Sequence, residues 1–410
     1  MHLQLQPAMH DFARDMAAQL RSGAPLFGTG GVFTPLIKTT LELMLEGEME
    51  EHLTGEQRKR GNRRNGYQQP KILKTAYGSV EIVVPRDRAG TFQPQLIRKR
   101  ETLLTESLEG LTLSLYGQGF SMQDISSHMQ DIYGVPISTA SLSHITNKIL
   151  PEIKAWQNRP LEPLYCIVWL DAMRFKVMEG GQFVSKCVYN VLGINVEGKK
   201  ELLGMYVAGS EGASFWVSVL SSLQERGVQD ILIACTDNLK GFPEAIQSVF
   251  PDTEVQLCIV HQVRNSLKSV SNSDKPGFIH DMRLVYRSST EEEGRDQLAL
   301  LKAKWLHKYP VAIRSWENNW VHLSAFYKYP PAIRSLIYTT NTIESFHKQV
   351  RRVTKNKGAW ESDTALTKLI YLAALKIQHR WNHTRKDWSP ILSQLTRLYE
   401  DRVRRFLKPA

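Results

Sequence analysis

The stretch "LYCIVWLDAMRFKV", from Leu164 to Val177, joins a run of seven apolar residues to an aspartate, Asp171. Such a run favours a strand that is buried on both faces. Two strand-like runs follow, "FVSKCVYNVLGINV" and "KELLGMYVAG", and then a helix, "ASFWVSVLSSLQERG". A fourth strand, "DILIACTD", ends at Asp237, and a short helix, "FPEAIQSVF", leads to a fifth, "EVQLCIV". This order predicts an α/β fold with a mixed five-stranded sheet and buried central strands.

The composition is that of an ordinary globular protein. The 410 residues suggest about two to three domains, and 42% of them are apolar against 23% charged. No apolar run approaches the ~18 residues that a membrane helix needs, so we expect no membrane partner. The first 20 residues are amphipathic and do not resemble a signal peptide. Four scattered cysteines form neither paired metal spacing nor a disulfide framework, which favours a reducing cytoplasm.

Basic charge is concentrated in one segment. The whole chain carries a net charge of +11, and residues 57–100 alone hold twelve basic and two acidic residues. Such a concentration is typical of a protein that binds a polyanion, although a solvated basic surface has the same composition. The predicted DNA contacts here are Arg58, Lys59, Arg60, Arg63, Arg64, Arg86 and Arg88.

A helix pair follows the basic segment. The stretch "GFSMQDISSHMQDIYGVPISTASLSHITNKI" predicts two helices around a Gly-Val-Pro turn. Ser121 and Asp124 are expected to cap the first helix, and Ser138 the second. The pair suits a helix-turn-helix whose second helix presents Ser138, Thr139, Ser141 and His144 to a DNA groove. An ordinary helical hairpin fits the same pattern.

Asp171 and Asp237 each end an apolar strand. A carboxylate at the edge of a buried strand is costly unless a cation compensates it. Arg174 or Lys240 would do so as ion pairs. A hard cation such as Mg²⁺ would do so as well, and would bind both acids if the strands are neighbours.

A third carboxylate lies at the head of a basic segment, "YTTNTIESFHKQVRR" (338–352). Asn341 and Glu344 have the spacing of a variant capping box, which is one role for this glutamate. The other role is to join the two distant aspartates. His347, Lys348 and Arg351 follow Glu344 at i+3, i+4 and i+7, which predicts a shared helix face.

Several motifs together resemble the Mutator-like insertion-sequence transposases of bacteria, which are DDE transposases with an RNase H-like core. The matching stretches are "RNGY", "YGSVEIVVPRDRAGTFQP", "NVEGKKELLG", "ILIACTDNLKGFPEAIQSVFPDTEVQLCIVHQVRNSLK" and "YTTNTIESFHKQVRRVTKNKGAW". They extend from about residue 30 to 395. The resemblance implies an RNase H-like mixed five-stranded sheet with helices, an all-α insertion that interrupts it, and a largely helical N-terminal DNA-binding region. Spacings of 66 residues between the aspartates and 107 to Glu344 suit such an insertion.

The resemblance also implies the chemistry. Asp171, Asp237 and Glu344 would be the catalytic, metal-binding triad for two Mg²⁺ or Mn²⁺ ions. The enzyme would cut double-stranded DNA at the terminal inverted repeats of its element and join the freed 3′-hydroxyl to target DNA. Joining two ends implies a homodimer or higher homo-oligomer, located at the nucleoid in a bacterial cytoplasm.

Other residues receive roles beside the triad. Cys258 and His261 match the family's Cys-x-x-His element, for which packing near the site is favoured over zinc because no second ligand pair is spaced for it. Asn341 is expected to have a structural role near the site. Arg174 and the Phe346-His347 pair depart from the family pattern. The remaining predicted DNA contacts are Lys240, Arg264, Trp316, Trp320, His347, Lys348, Arg351 and Arg352. For the two tryptophans, packing in a core is the alternative to stacking on an unpaired base.

We predict a division of the chain into six segments. Two DNA-binding segments, 1–100 and 101–160, precede the first part of the catalytic core, 161–273. An all-α insertion, 274–335, separates it from the second part, 336–380, and a basic helical tail, 381–410, follows. Two other functions fit the same residues: an RNase H-like nuclease that does not join strands, and a non-catalytic DNA-binding regulator.

Overall fold

The computed structural model describes residues 7–27, 30–54, 61–75, 78–97, 105–133, 136–209, 212–338, 340–381 and 383–407. The chain divides into two compact units, Met1–Lys148 and Ile149–Ala410. Arg58, Lys59 and Arg60 lie outside the described residues. In the part of the chain that is described, no helix has the length and apolar character needed to cross a bilayer.

The first unit combines helices with two small antiparallel β-ribbons. Its elements are α1 (Pro7–Arg21), α2 (Thr34–His52), β1 (Arg64–Tyr67), β2 (Lys71–Thr75), β3 (Gly78–Ile82), β4 (Pro85–Asp87), α3 (Thr105–Tyr116), α4 (Met122–Tyr133) and α5 (Thr139–Asn147). β1 pairs with β4, and β2 pairs with β3. One apolar face of α2, with Leu41 and Leu45, packs on Leu73, Val80 and Ile82 of the β2–β3 ribbon.

The predicted caps of the helix pair are confirmed. The Ser121 backbone N–H donates to Asp124 Oδ2 at 3.0 Å, and the Asp124 N–H donates back to Ser121 Oγ at 3.1 Å. The N–H of Ser141 donates to Ser138 Oγ, the N-cap of α5, at 3.1 Å. Ser138, Thr139 and His144 are exposed, which leaves them accessible to a ligand.

The second unit is built around a five-stranded mixed sheet. Its first elements are α6 (Leu150–Gln157), β5 (Leu164–Glu179), β6 (Gln182–Asn195), β7 (Lys200–Ala208), α7 (Ala213–Glu225), β8 (Asp230–Thr236), α8 (Phe242–Val249) and β9 (Glu254–Leu257). The strand order is β7-β6-β5-β8-β9. β5, β6 and β7 pair antiparallel, whereas β5–β8 and β8–β9 are parallel. The predicted mixed five-stranded sheet is thus confirmed.

Helices complete this unit. They are α9 (Ile259–Leu267), α10 (Lys275–Arg287), α11 (Glu291–Trp305), α12 (Pro310–Asn318), α13 (Trp320–Leu323), α14 (Pro331–Ile337), α15 (Asn341–Thr354), α16 (Asp363–Gln378) and α17 (Trp388–Arg404). Between α9 and α15, the secondary structure of the described residues is entirely helical, in keeping with the predicted insertion. Trp216 of α7 and Phe242 of α8 pack together against the sheet, and α15 packs beside β5.

The central strand β5 is buried as predicted but longer than predicted. Residues 164–170 are all at most 1% exposed, because β6 and β8 flank them and helices cover the sheet. The strand does not end at Asp171. It continues to Glu179, where β6 is its only partner among the described strands because β8 stops at Thr236, and a backbone bridge joins Val177 to Trp360 on the other side.

Candidate active site

Two aspartates follow neighbouring strands where the parallel part of the sheet ends. Leu170 of β5 and Thr236 of β8 are registered partners, so Asp171 and Asp237 follow the same rung of the sheet. Neighbouring strands lie about 4.8 Å apart. Asp171 Oδ1 accepts the N–H of Ala172 at 2.8 Å, and Asp237 Oδ1 accepts the N–H of Leu239 at 3.2 Å. Burial raises the pKa of Asp237, against an opposing attraction to His261.

Glu344 reaches the same site from α15. A cavity of about 220 Å³ is lined by Asp171, Ala172, His261, Arg264, Glu344, His347, Lys348 and Arg351, and we call it the carboxylate cavity. The predicted helix face is confirmed, because all four of its members line this cavity. Glu344 Oε1 accepts a hydrogen bond from Arg264 Nη1 at 2.9 Å. Glu344 therefore pairs with a cation of α9 in this structure.

The predicted capping box is wrong. α15 begins at Asn341, and its N-cap, Thr340, makes no side-chain capping bond. Asn341 lies inside the first helical turn with its side chain exposed, so it cannot occupy the cap position. The Glu344 carboxylate turns to Arg264 because an ion pair is available there.

His347 contacts Asp171. Its side chain is 8% exposed, and its Nδ1 lies 3.5 Å from Asp171 Oδ2. The amide nitrogen of Asn190 donates to the Val188 carbonyl at 3.1 Å and lies 3.2 Å from His347 Nε2. Since the amide nitrogen is a donor, Nε2 accepts and Nδ1–H points to Asp171. Burial, with a smaller contribution from Arg351, lowers the pKa of His347 to about 3, which keeps the ring neutral.

These contacts correct one prediction and add a residue. The sequence predicts that His347 contacts DNA, but its largely buried side chain lies in the wall of the carboxylate cavity and contacts Asp171. Asn190 was not singled out from the sequence. Its signal was a lone amide in the apolar run "CVYNVLGI", because a fully buried polar side chain needs a partner.

Cys258 and His261 lie at the start of α9, beside the aspartates. Cys258 is the N-cap residue, and its Sγ lies 3.2 Å from Thr340 Oγ1. Interaction with Cys258 is the main cause that raises the pKa of His261 to about 9, with Asp171 and Asp237 adding to it against the effect of burial. Within the described residues, no three histidine, cysteine, aspartate or glutamate side chains group closely enough to hold a metal.

A basic groove continues from the carboxylate cavity. Arg351 lines both, and the groove, about 440 Å³ in volume, is also lined by Arg174, Lys176, Lys355 and Lys357. None of its lining residues is acidic. Arg174 and Lys176 of β5 and the lysines between α15 and α16 thus form one positively charged surface. The sequence had singled out Arg174 and Arg351 but not the three lysines.

The other predicted DNA contacts divide into exposed and buried groups. Lys240 and Arg352 are exposed but do not line the carboxylate cavity. In the first unit, four arginines on the β1–β4 ribbon and its flanks are also exposed: Arg63, Arg64, Arg86 and Arg88. Trp316 is 1% exposed and donates to Ser266 Oγ at 3.0 Å. Trp320 is 6% exposed and donates to Glu291 at 3.1 Å. Their burial leaves no ring face for a base, so the core alternative holds.

Comparison with known proteins identifies the family. The family model described as "Transposase, Mutator family" matches residues 9–384. A probable transposase for an ISRM3-like insertion sequence from Sinorhizobium fredii is 37% identical over 95% of this chain and 98% of its own length. A probable insertion-sequence transposase from Corynebacterium diphtheriae is 40% identical over 72% of this chain and 87% of its own. The chain belongs to the Mutator family of transposases.

Proposed function

We propose that this chain binds the terminal inverted repeats of an insertion sequence and catalyses metal-dependent DNA cleavage and strand transfer. The observation that carries the proposal is that Asp171 and Glu344 line one cavity, that Asp237 follows the strand next to Asp171, and that a basic groove adjoins this cavity at Arg351. A groove lined by cations and free of acids suits a phosphodiester backbone. The family membership supports DNA as the substrate.

Carboxylate oxygens are the ligands that a hard divalent cation prefers, although the three carboxylates are not grouped closely enough in this structure to hold one. Asp171 and Asp237 offer carboxylate oxygens from adjacent strands, and the buried Asp237 carboxylate would be stabilised by a cation. Glu344 would complete the set once its ion pair with Arg264 is exchanged. Two Mg²⁺ or Mn²⁺ ions bound here would supply activation of a nucleophile and stabilisation of the leaving oxygen.

The chain's own residues would position the reacting DNA. His347, which is held by its hydrogen bond with Asn190, would position Asp171 through the 3.5 Å contact between its Nδ1 and Asp171 Oδ2. Lys348 and Arg351, on the turns after Glu344, would hold the backbone on either side of the phosphate to be cut. Hydrolysis would leave a 3′-hydroxyl on the element end, and that hydroxyl would displace a 3′-oxygen in target DNA. Two ends must be joined, so we propose a homo-oligomer as the active form.

The first unit would find the element ends. The exposed arginines of the β1–β4 ribbon suit phosphate contacts, and the capped α4–α5 pair suits groove reading. The division of the chain into six segments remains a prediction.

The test is cleavage and strand transfer of labelled element ends in Mg²⁺ with purified full-length protein. We expect Asp171→Asn, Asp237→Asn and Glu344→Gln each to lower cleavage by at least about 10³-fold while DNA affinity is retained. Glu225→Gln, an exposed acid on α7, is the matched control and should cleave normally.

Each alternative has its own outcome. Cleavage without joined products would identify a nuclease, and binding of the ends without cleavage would identify a regulator. A folded Glu344→Gln variant that cleaves at the wild-type rate would remove Glu344 from the proposed site.

A further inference from the structure

A second groove adjoins the carboxylate cavity on the side away from β5. It has a volume of about 550 Å³ and is bounded by α9, α10, α14 and the first residue of α15, and we call it the aromatic groove. Arg264, the partner of Glu344, lines both the aromatic groove and the carboxylate cavity. A ligand in this groove would therefore lie within one side chain of the proposed reaction centre.

The lining of the aromatic groove combines ring faces, aliphatic groups and guanidinium groups. Three aromatic residues, Tyr286, Phe326 and Tyr338, line it together with aliphatic side chains of α9. Phe326 is buried, whereas Tyr286 and Tyr338 are half-buried. Apolar surface of this kind suits a flat, hydrophobic group.

The charge of the groove is of one sign. Its lining includes Arg264, Arg287 and Arg334 and no acidic residue. Arg334 lies 5.6 Å from the Phe326 ring centroid and is held by hydrogen bonds to the carbonyls of Ser289 and Tyr327. Its Nε is buried without a hydrogen-bond partner among the described residues. A ligand with an anionic group and acceptor atoms would satisfy this surface.

These features fit one unstacked nucleotide. The volume of the groove lies in the range of small-ligand pockets and is too small to hold a duplex. A base would face the aromatic side chains and its phosphate the arginines, as in sites that hold single-stranded DNA. Trp316 and Trp320 are buried and do not provide such a platform. An acidic peptide would match the charge, but the groove opens beside the cavity proposed to cut DNA.

We propose that the aromatic groove binds one unpaired base of the DNA strand next to the phosphate that is cut. The proposal rests on the proposed DNA-cleaving function of the carboxylate cavity. Tyr286 would stack on the base, and Arg287 would bind the adjoining phosphate. The groove would thus favour DNA ends that are already unpaired or easily opened.

The test measures binding without cleavage. The full-length protein is titrated in EDTA with a duplex that ends in a three-nucleotide overhang carrying 2-aminopurine. We expect tighter binding than to the blunt duplex and a quenched 2-aminopurine signal. Tyr286→Ala should weaken overhang binding by about 5- to 100-fold, as loss of base stacking does, and should leave blunt-duplex affinity within about twofold. Tyr286→Phe should keep both the quenching and the affinity.

The proposed phosphate contact of Arg287 is tested with a matched pair of arginine variants on one helix. Arg287 and Arg283 are both exposed residues of α10, one turn apart, and only Arg287 lines the groove. Arg287→Ala should weaken overhang binding about 5- to 10-fold, whereas Arg283→Ala should not. Thermal unfolding of each variant checks its fold.

Three results would overturn the proposal. Equal affinity for an overhang of abasic sites would show that phosphates alone are bound. Wild-type binding by Tyr286→Ala and Arg287→Ala, or displacement of blunt and overhang DNA alike by a polyglutamate peptide, would point to another occupant. Failure of the proposed function is separate: overhang-dependent binding without cleavage in Mg²⁺ would refute the cleavage chemistry and leave the groove assignment intact.

Discussion

Replacement of Trp316 by alanine is expected to destabilise the Ile149–Ala410 unit without a direct effect on DNA. The side chain is 1% exposed and lies on α12, where its Nε1–H donates to Ser266 Oγ of α9 at 3.0 Å. Ser266 Oγ keeps a second hydrogen bond, to the Gln262 carbonyl at 2.8 Å. The variant therefore loses packing first and leaves no hydroxyl unpaired.

The magnitude follows from the burial. A fully buried tryptophan replaced by alanine costs about 3–5 kcal/mol, because its transfer free energy is lost and a cavity remains. For a unit of this size, each kcal/mol lowers the melting temperature by roughly 2–4 °C, so a decrease of about 6–20 °C is expected. Val321 of α13 is 73% exposed, and Val321→Ala should change stability by less than about 0.5 kcal/mol.

The assay combines thermal unfolding with DNA binding below the transition. Where Trp316→Ala is folded, its affinity for duplex and overhang DNA should match the wild type within about twofold. A variant that melts like the wild type yet loses DNA affinity would refute the reasoning, because the indole would then have to face a ligand. The Val321→Ala control separates a general effect of the helical insertion from one of Trp316.

Three further predictions concern other parts of the chain. Gly198→Ala should lower the free energy of unfolding by about 2–5 kcal/mol, as measured by urea denaturation, because φ is +75° and a Cβ would lie 2.3 Å from Trp388 Cγ. Gly180 has a φ of +57° but open space around it, so Gly180→Ala is the control and should lower it by only about 1–2 kcal/mol. Burial alone would raise the pKa of Asp87. Hydrogen bonds from its neighbours have the larger effect, so the pKa lies well below its usual range. The stability this gives is present above about pH 4 and lost as pH falls. The Asp87→Asn variant should therefore be less stable at pH 7 and show a flatter acid unfolding profile. His347→Ala should lower metal affinity or cleavage about 10- to 100-fold and leave DNA affinity unchanged, as measured by calorimetry and anisotropy.

The strands and much of the site were predictable because they depend on local pattern. Seven consecutive apolar residues before Asp171, rich in aromatic and β-branched side chains, favour a strand buried on both faces. The spacing of Glu344, His347, Lys348 and Arg351 specifies one helix face, and all four line one cavity. The order of strands and helices along the chain predicted a mixed five-stranded sheet, which the structure confirms.

Other features depended on partners far along the chain. The extension of β5 beyond Asp171 is set by β6, which continues to pair after β8 has ended. The Glu344 side chain leaves the cap position because Arg264, 80 residues earlier, lies within 2.9 Å. No local rule anticipates either result, since propensity and capping signals describe only neighbours in sequence.

The roles of His347 and the two tryptophans were decided by burial. A histidine among lysines and arginines suggests an exposed DNA contact, but packing of α15 on the sheet places this ring against Asp171 and Asn190. Trp316 and Trp320 have helical spacing that fits both a core and a surface, and only the packed insertion shows that they are inside.

Apolar periodicity and motif spacing are properties of the chain, so they were enough to predict the fold class, the family and the charged residues available for chemistry. The contacts between distant residues became visible only in the folded protein: the register of the two aspartate-bearing strands, the Arg264–Glu344 pair, the Asn190–His347–Asp171 contacts and the aromatic groove. The physical reason is that hydrogen bonds, ion pairs and burial depend on distances of a few ångströms between residues that are far apart in sequence.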